Sequence, residues 1–478
     1  MTVSLHWLPW LALLLLLPAA FLGAKACRCK PAPVFQLRPE WDGPLTASSQ
    51  VDVNLGNSPE SFARAAYWQV MGVEPDQAWV ADQSRRLREL PYWRRIDTVN
   101  TLLAQSRSGK PRTYSDPWLG QPALSDAPCH RVKRDVGAVF MFFFNCPGGV
   151  NGGMEWANTH TLGMDAPHPL YGFGPEAAGY YDPKKGPGFF YCELMDARWA
   201  GLQFLLPNVY GPDLHDGSME NLATALDTIH AQGHKHAVKI GLFDDTWGWV
   251  HLKAPWNDPP DVEDPAQTGA AAEKIYTMKW KPFFSRLKRR DWYSVRGRPY
   301  ITFYNGGTLK PHGNIAAVLA ACKRRFKADF GVEPFLSVDR AFFSDPAMEG
   351  VADAKFVWDT FKPDVPSRVS RDERHGVVLD HAMVRWDSVG RGSRGSVEVT
   401  AGPDSGVLKD GALLRRILEE TRDDDLLVIA TWNDLGEGTG INRNYDYYFN
   451  GQWQPPTYFM DLIRASQSGG LCGQAPKP

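Results

Sequence analysis

Eight short apolar runs, rich in β-branched and aromatic residues, recur along the chain at 138–144, 202–207, 237–243, 299–304, 335–338, 355–358, 382–385 and 426–431. Most neighbouring pairs are separated by a segment with helical periodicity. Leu222, Leu226 and Ile229 share one face within 218–232, and 266–290 and 315–330 have the same texture. This alternation constrains the fold more than any other feature. A strand, a helix and a further strand must cross over, so successive strands lie parallel in a sheet covered by helices. Eight such units spread over 133–465 predict an α/β fold, a (β/α)8 TIM barrel with insertions. A doubly wound open sheet is the alternative. It would announce a glycine-rich nucleotide turn after its first strand. The stretch 145–153 has glycines but lacks the spacing and the immediate helix.

The segments before the barrel have other characters. Residues 7–24 are almost wholly apolar, and Ala24-Lys25-Ala26 fits a small-x-small cleavage site. The pattern predicts a secretory signal peptide over 1–26 and a secreted, periplasmic or cell-surface protein with no stable membrane span after cleavage. No Lys or Arg precedes the run, and its length approaches that of a membrane span, so an uncleaved anchor is the alternative. Cys27 after the cut raises a lipid anchor, against which stands Lys25. Residues 27–56 are polar and aperiodic, a tether. A small all-α module of three helices is expected over 57–107. Ser58 and Pro59 open the first helix, Phe62, Ala65, Ala66 and Val70 share a face, and a second helix runs from about Pro75 to Leu90. Trp93, Ile96, Val99 and Leu103 mark the third. Residues 108–132 are a Pro- and Ser-rich linker and 466–478 a tail.

Lys+Arg total 52 and Asp+Glu 54, a formal net charge of −2, so no field of one sign is available to hold nucleic acid. The seven cysteines leave at least one thiol unpaired, and none has zinc-site spacing. Cys192 and Cys322 fall in helical patterns as small apolar residues. His230, His234 and His236 have a spacing that suggests a metal, but they precede the third strand, at the stability face of a barrel, and are expected to be a surface cluster. The basic stretch 279–298 is expected on the wet side of a helix. The composition is unusual in its 18 Trp, which belong to a packed core or to stacking surfaces.

In a barrel the working face lies at the C-terminal ends of the strands. The eight ends deliver Asn145; Asn208-Val209-Tyr210; Asp244-Asp245-Thr246-Trp247; Tyr304-Asn305; Asp339-Arg340; Trp358-Asp359; Arg385-Trp386-Asp387; and Trp432-Asn433-Asp434 through Glu437 to Thr439. A ring of carboxylates and amides with interleaved Trp and Tyr suits a sugar, whose hydroxyls need donors and acceptors and whose ring faces stack on aromatics. Asp434 and Glu437 are three apart, and one turn of chain sets them on one side. Two carboxyls flanking one bond are what a glycosidase needs. The alternative is a solvated acidic turn. Asp244 and Asp245 are adjacent, so in a strand at most one faces the pocket. Asp339 and Arg340 form a ligand clamp or an ion pair. Asp359 is a ligand to sugar or a helix N-cap. The insertions 146–188 and 387–408 are expected to shape a cleft, with Glu155, Trp156, His160 and Asp182 as further candidates. Trp247, Trp249, Trp358, Trp386 and Trp432 are placed to stack.

The segment 428–442, "VIATWNDLGEGTGIN", resembles the "NEWGEGT" signature of family 99 endo-α-mannosidases. There the first acid assists the substrate 2-hydroxyl and the second is the general acid/base. The resemblance assigns these parts to Asp434 and Glu437, with Asp at 434 in place of Glu, one methylene shorter. "GLFDDTWGW", "RPYITFYN" and "FGVEPFLSVDRAFF" are similar to domain-of-unknown-function family 5010, glycoside-hydrolase-like barrels, over 133–465. The expectation is a monomeric glycoside hydrolase acting on a polysaccharide or glycan, without a cofactor and without a metal. Glu437 and Asp434 are its catalytic pair. Asn433, Trp432, Asp244, Asp245, Trp247, Asn208, Tyr304, Asn305, Asp339, Asp359, Trp358 and Trp386 bind substrate. A non-catalytic carbohydrate-binding barrel and a metal-dependent hydrolase using the strand-end aspartates are the other readings.

Overall fold

A computed structural model describes residues 59–71, 75–90, 95–107, 133–141, 187–210, 214, 217–234, 237–247, 261–306, 309, 314–360, 368–384, 411–434, 439–442, 448–449, 452–453 and 457–467. The expected signal peptide, tether and linker, residues 146–186 of the first long insertion and all of the second lie outside these residues, as do Trp249, Trp386 and Glu437.

Three helices, α1 (Pro59–Met71), α2 (Gln77–Glu89) and α3 (Arg95–Arg107), form the all-α module. Asp76 caps α2 by accepting the Trp79 N–H at 2.7 Å. Phe62, Ala66, Val99 and Leu102 make the module's core, with Tyr67, Met71, Trp79 and Leu87 packed against it.

The barrel strands are β1 (Asp135–Phe140), β2 (Phe204–Val209), β3 (Lys239–Ile240) with β4 (Leu242–Asp245), β6 (Arg298–Tyr304), β7 (Phe335–Asp339), β8 (Ala354–Phe356), β10 (Leu379–Met383) and β11 (Leu426–Ala430). Their order β8-β7-β6-β4-β2-β1-β11-β10 is parallel throughout, the sequential winding of a (β/α)8 barrel. β5 (Ser294–Val295) is a short antiparallel addition to β6, and β12 (Tyr448–Phe449) pairs antiparallel with β13 (Gln452–Trp453).

The seam between β8 and β10 is filled by β9 (Ser370–Asp372), which runs antiparallel to β10. Its side chains take the place of a ladder. Ser370 Oγ accepts the Val357 N–H at 2.9 Å, and Asp372 Oδ2 accepts the Lys355 N–H at 2.6 Å. Beyond it, Thr360 Oγ1 accepts the Met383 N–H at 3.0 Å.

Helices α4 (Gly188–Ala200) and α5 (Ser218–Ala231) follow β1 and β2. After β4 come α6 (Thr268–Ile275), a widened π turn (Tyr276–Trp280) and α7 (Lys281–Arg286). Helix α8 (Ile315–Phe330) follows β6, α9 (Ala412–Glu420) precedes β11, and α10 (Tyr458–Gln467) follows β11. After β7 two 3-10 turns replace a helix, Arg340–Ser344 and Pro346–Gly350, each opened by an aspartate that caps it.

Strand parity and register define the barrel interior. Asn208, Phe243, Thr302, Ser337 and Ala354 form one hydrogen-bonded row, and Asp245, Tyr304, Asp339 and Phe356 occupy the next, nearer the C-terminal mouth. The rings of Phe243, Tyr304, Phe356, Trp358 and His381 meet inside at centroid separations of 4.9 to 6.5 Å. At the other end Gly137 is required, because a Cβ there would lie 2.2 Å from the Phe204 ring.

Candidate active site

An open recess of about 290 Å³ lies at the C-terminal ends of β6, β7 and β8. Tyr304, Asn305, Asp339, Arg340, Ala341, Val357, Trp358 and Asp359 line it. Tyr304 and Trp358 face one another at 4.9 Å and 37°, a curved aromatic wall. Asp339 accepts the Ala341 N–H at 2.9 Å and so caps the turn that carries Arg340. Asn305 spends its amide within its own loop, exchanging bonds of 3.2 Å with the main chain of Leu309. Asp359 is half-buried at the rim.

The adjacent aspartates of β4 separate as strand parity demands. Asp244 points out into the helix layer, where Lys279 Nζ and Trp280 Nε1, the latter at 2.7 Å, donate to its two oxygens. Both members of the Lys279–Asp244 pair are fully buried. Lys279 therefore departs from the expected solvated basic face. The π turn widens the helix so that two consecutive side chains reach one carboxylate. Asp245 points inward, and burial pushes its carboxyl up to about 6 against the opposing pull of the Trp247 N–H, Lys279 and Asn208. Trp247 is half-buried, its ring 5.5 Å from that of Tyr210.

At the end of β11 the chain closes a loop at its stem. Ile441 and Asn442 both donate main-chain N–H to the Trp432 carbonyl at 2.8 Å, Gly440 N–H donates to the Asp434 carbonyl at 3.1 Å, and the hydroxyls of Thr431 and Thr439 meet at 2.8 Å. Asp434 is buried in this stem, its N–H donated to Thr431 Oγ1 at 2.9 Å. Asn433 is also buried, and its amide mimics a strand partner. Oδ1 accepts the Met141 N–H at 2.7 Å and Nδ2 donates to the Met141 carbonyl at 2.8 Å, pinning the stem to the end of β1. Trp432 is fully buried with its indole N–H on Glu193 of α4, so it walls the barrel and offers no open stacking face.

Of the expected site residues, Tyr304, Asn305, Asp339, Trp358 and Asp359 come together in the recess. Asn208 and Asp245 sit inward on neighbouring strands, with Asn208 Nδ2 3.3 Å from Asp245 Oδ2. Asp244, Asn433 and Trp432 are engaged elsewhere in the fold. Glu437 and Trp386 lie outside the described residues.

Glu193, Lys279 and His381 were not anticipated. Glu193 binds Trp432 and, at 3.4 Å, Asn442. An acid within the otherwise apolar run 189–195 was its signal. His381, on β10, packs at a tilt against Phe356 and Trp358, and burial holds its imidazole neutral, pushed down to about 3. His230, by contrast, bonds Asp291 at 2.6 Å on the opposite side of the fold from the recess. No group of three metal-ligating side chains occurs among the described residues.

The fold and the recess define a (β/α)8 barrel with a carboxylate-and-aromatic recess at its C-terminal mouth. The family model "Domain of unknown function (DUF5010)" matches residues 193–468, more than half of the chain, and the protein belongs to that family. Among solved structures it is similar to the GH99 endo-alpha-mannosidase from Bacteroides thetaiotaomicron in complex with BIS-TRIS-Propane. That match has 14% identity over 70% of this chain and 98% of the other, with a TM-score of 0.44. A second structure of the Bacteroides thetaiotaomicron GH99 endo-alpha-mannosidase gives 12%, 71%, 98% and 0.46, and a glycoside hydrolase-like protein 11%, 74%, 98% and 0.39. No curated protein matches the chain. No described helix is long and apolar enough to cross a membrane.

Proposed function

We propose that the protein is an exported glycoside hydrolase acting on a neutral glycan at the C-terminal mouth of its barrel. The observation that carries this reading is the recess on β6, β7 and β8. It pairs an aromatic wall, Tyr304 and Trp358, with the carboxylates of Asp339 and Asp359, the chemistry a sugar ring needs on its faces and its hydroxyls. The motif resemblance supplies the reacting groups. Glu437 protonates the leaving oxygen as the bond to the anomeric carbon breaks, then takes a proton from the water that adds there. Asp434 assists through the substrate 2-hydroxyl.

Asp434 favours a second reading. It is one methylene shorter than the Glu of the signature and is held in a tight stem, which suits a barrel that binds glycans without cutting them.

The test is reducing-end release from a panel of neutral polysaccharides and disaccharides by the full chain, Glu437→Gln and Asp434→Asn. The expected loss is about 10²–10⁴-fold in each variant, the usual worth of a positioned acid or base. Equal release by the wild type and Glu437→Gln sinks the catalytic assignment. Binding without release by the wild type establishes the second reading.

A further inference from the structure

Lys279 and Trp280 give their side-chain donors to the Asp244 carboxylate, and among the described residues no cation is paired to the Asp245 carboxyl. Asp245 is 4 % exposed. Its Oδ1 accepts the Trp247 N–H at 2.8 Å and its Oδ2 lies 3.3 Å from Asn208 Nδ2. Lys279 Nζ reaches only its main-chain carbonyl, at 3.3 Å. The charged groups that face it are Lys279 and Asp244, already paired with each other, and Tyr304 is its neighbour on β6. Gly306 closes the enclosure, since a Cβ there would come within 3.0 Å of Asp245 Oδ1 and 2.7 Å of Trp247 Cβ. A buried carboxylate without a cation paired to it is costly, and the neutral acid is not.

Asn208 has the complementary defect. It is 2 % exposed, its Nδ2 is shared between Asp245 and Met141 Sδ (3.4 Å), and its Oδ1 has no donor among the described residues. A buried acceptor without a donor is destabilising and is ordinarily met by water or a ligand. One chemical group answers both residues. A hydroxyl accepts through its oxygen and donates through its hydrogen. A carboxylate ligand would set a second acceptor against Asn208 Oδ1, and an ammonium has no lone pair for an acid proton.

We propose that Asn208 and Asp245 form a subsite for one neutral hydroxyl of the ligand, with protonated Asp245 donating to the hydroxyl oxygen and Asn208 Oδ1 accepting its hydrogen. The inference rests on the carbohydrate reading above and adds a donor carboxyl to the inward face of β2 and β4. The position near 6 to which burial moves Asp245 agrees with a group that keeps its proton in mildly acidic solution.

The test is calorimetric binding of mannobiose, cellobiose and xylobiose to the full chain between pH 5 and pH 8. Where donation is required, affinity is flat below about pH 6 and weakens by up to about tenfold per unit above it. Asp245→Asn, which keeps a neutral donor, is expected to bind within about threefold of wild type at pH 5 and to stay flat to pH 8. Asn208→Ala is expected to weaken binding about fivefold at every pH, the worth of one hydrogen bond. A pH-independent wild type, or an Asp245→Asn protein that keeps the wild-type pH profile, overturns the subsite while leaving the glycoside reading intact. Failure of the wild type to bind any of the three sugars sinks that reading and the subsite with it. Infrared titration of the carboxyl band gives a second measurement that needs no sugar. In an Asp380→Asn background, which removes the carboxyl that burial moves to about 7, a band lost near pH 6 and absent after Asp245→Asn supports the proton on Asp245. Its absence before that substitution overturns it.

Discussion

The pair between Lys279 and Asp244 sets the sharpest energetic test of the fold. Both side chains are fully buried, and the carboxylate holds two donors, the ammonium and the Trp280 indole N–H at 2.7 Å. Lys279→Met keeps the volume and removes the charge. Asp244 is then a buried carboxylate with a single neutral donor. Removing one member of such a pair costs about 3–5 kcal/mol, because the partner's desolvation is no longer offset. Against a total stability of about 5–15 kcal/mol this is roughly a fifth or more of what the domain has. Asp244→Asn in the same background removes the orphaned charge and still offers an oxygen to Trp280. The double variant is therefore expected to regain about 2 kcal/mol or more over Lys279→Met alone.

The assay is urea unfolding followed by tryptophan fluorescence for the wild type, both single variants and the double, closed as a cycle. A Lys279→Met penalty below about 1 kcal/mol would refute the reasoning. So would a double variant as unstable as the sum of its parts. The cycle also bears on function. A lowered activity in Asp244→Asn is to be read as a structural effect on β4, since this side chain faces the helix layer and not the mouth.

Two further outcomes follow from groups away from the recess. Burial pushes Asp380 up to about 7 from its ordinary 3.8, with a neighbouring Asp424 adding to the rise and Arg371 opposing it. A carboxyl raised on folding stabilises fully below its unfolded value and loses that contribution as pH climbs to its folded one. Stability should therefore fall by up to roughly 1.4 kcal/mol per unit between about pH 4 and pH 7 from this group. Asp380→Asn should gain on the wild type in urea midpoint from pH 5 to pH 8, and a gain in the opposite direction contradicts the assignment. Asn433→Ala deletes two buried bonds to Met141 and leaves a buried N–H and carbonyl unsatisfied, costing about 2–4 kcal/mol. Thermal unfolding by circular dichroism measures it, and a midpoint within a degree of wild type shows that the stem is held by other contacts.

The eight barrel strands were legible because alternating strand and helix patterns have few three-dimensional solutions. Their limits were less so. β10 begins at Leu379, three residues before the apolar run 382–385, because Asp380 and His381 are buried polar residues that interrupt its apolar texture. β9 was invisible. It is three residues long, antiparallel, and does its work with Ser370 and Asp372 side chains on the main chain of β8, which no local pattern encodes. The missing helix after β7 was foreshadowed by Pro346 and by Asp339 and Asp345, which favour short capped turns.

In the candidate site, a polar residue at a strand end is a necessary but weak signal, because it can be satisfied in two ways. Asp244, Asn433 and Trp432 are satisfied from within the chain, by Lys279 and Trp280, by the main chain of Met141, and by Glu193. Those partners lie between 35 and 292 residues away, or on a helix whose turn is widened at one place, and spacing along the chain cannot disclose them. Asn208, Asp245, Tyr304, Asp339 and Trp358 share the inward parity instead, and parity follows from register. One residue of register separates the two aspartates of β4, and it assigns them opposite environments: a full set of donors for Asp244 and, among the described residues, a carboxyl with no cation paired to it for Asp245. The sequence could limit the pair to one inward member. Only the arrangement of β2, β4 and β6 decides which, and with that decision the acid best placed to meet a ligand hydroxyl becomes the one its neighbours leave unneutralised.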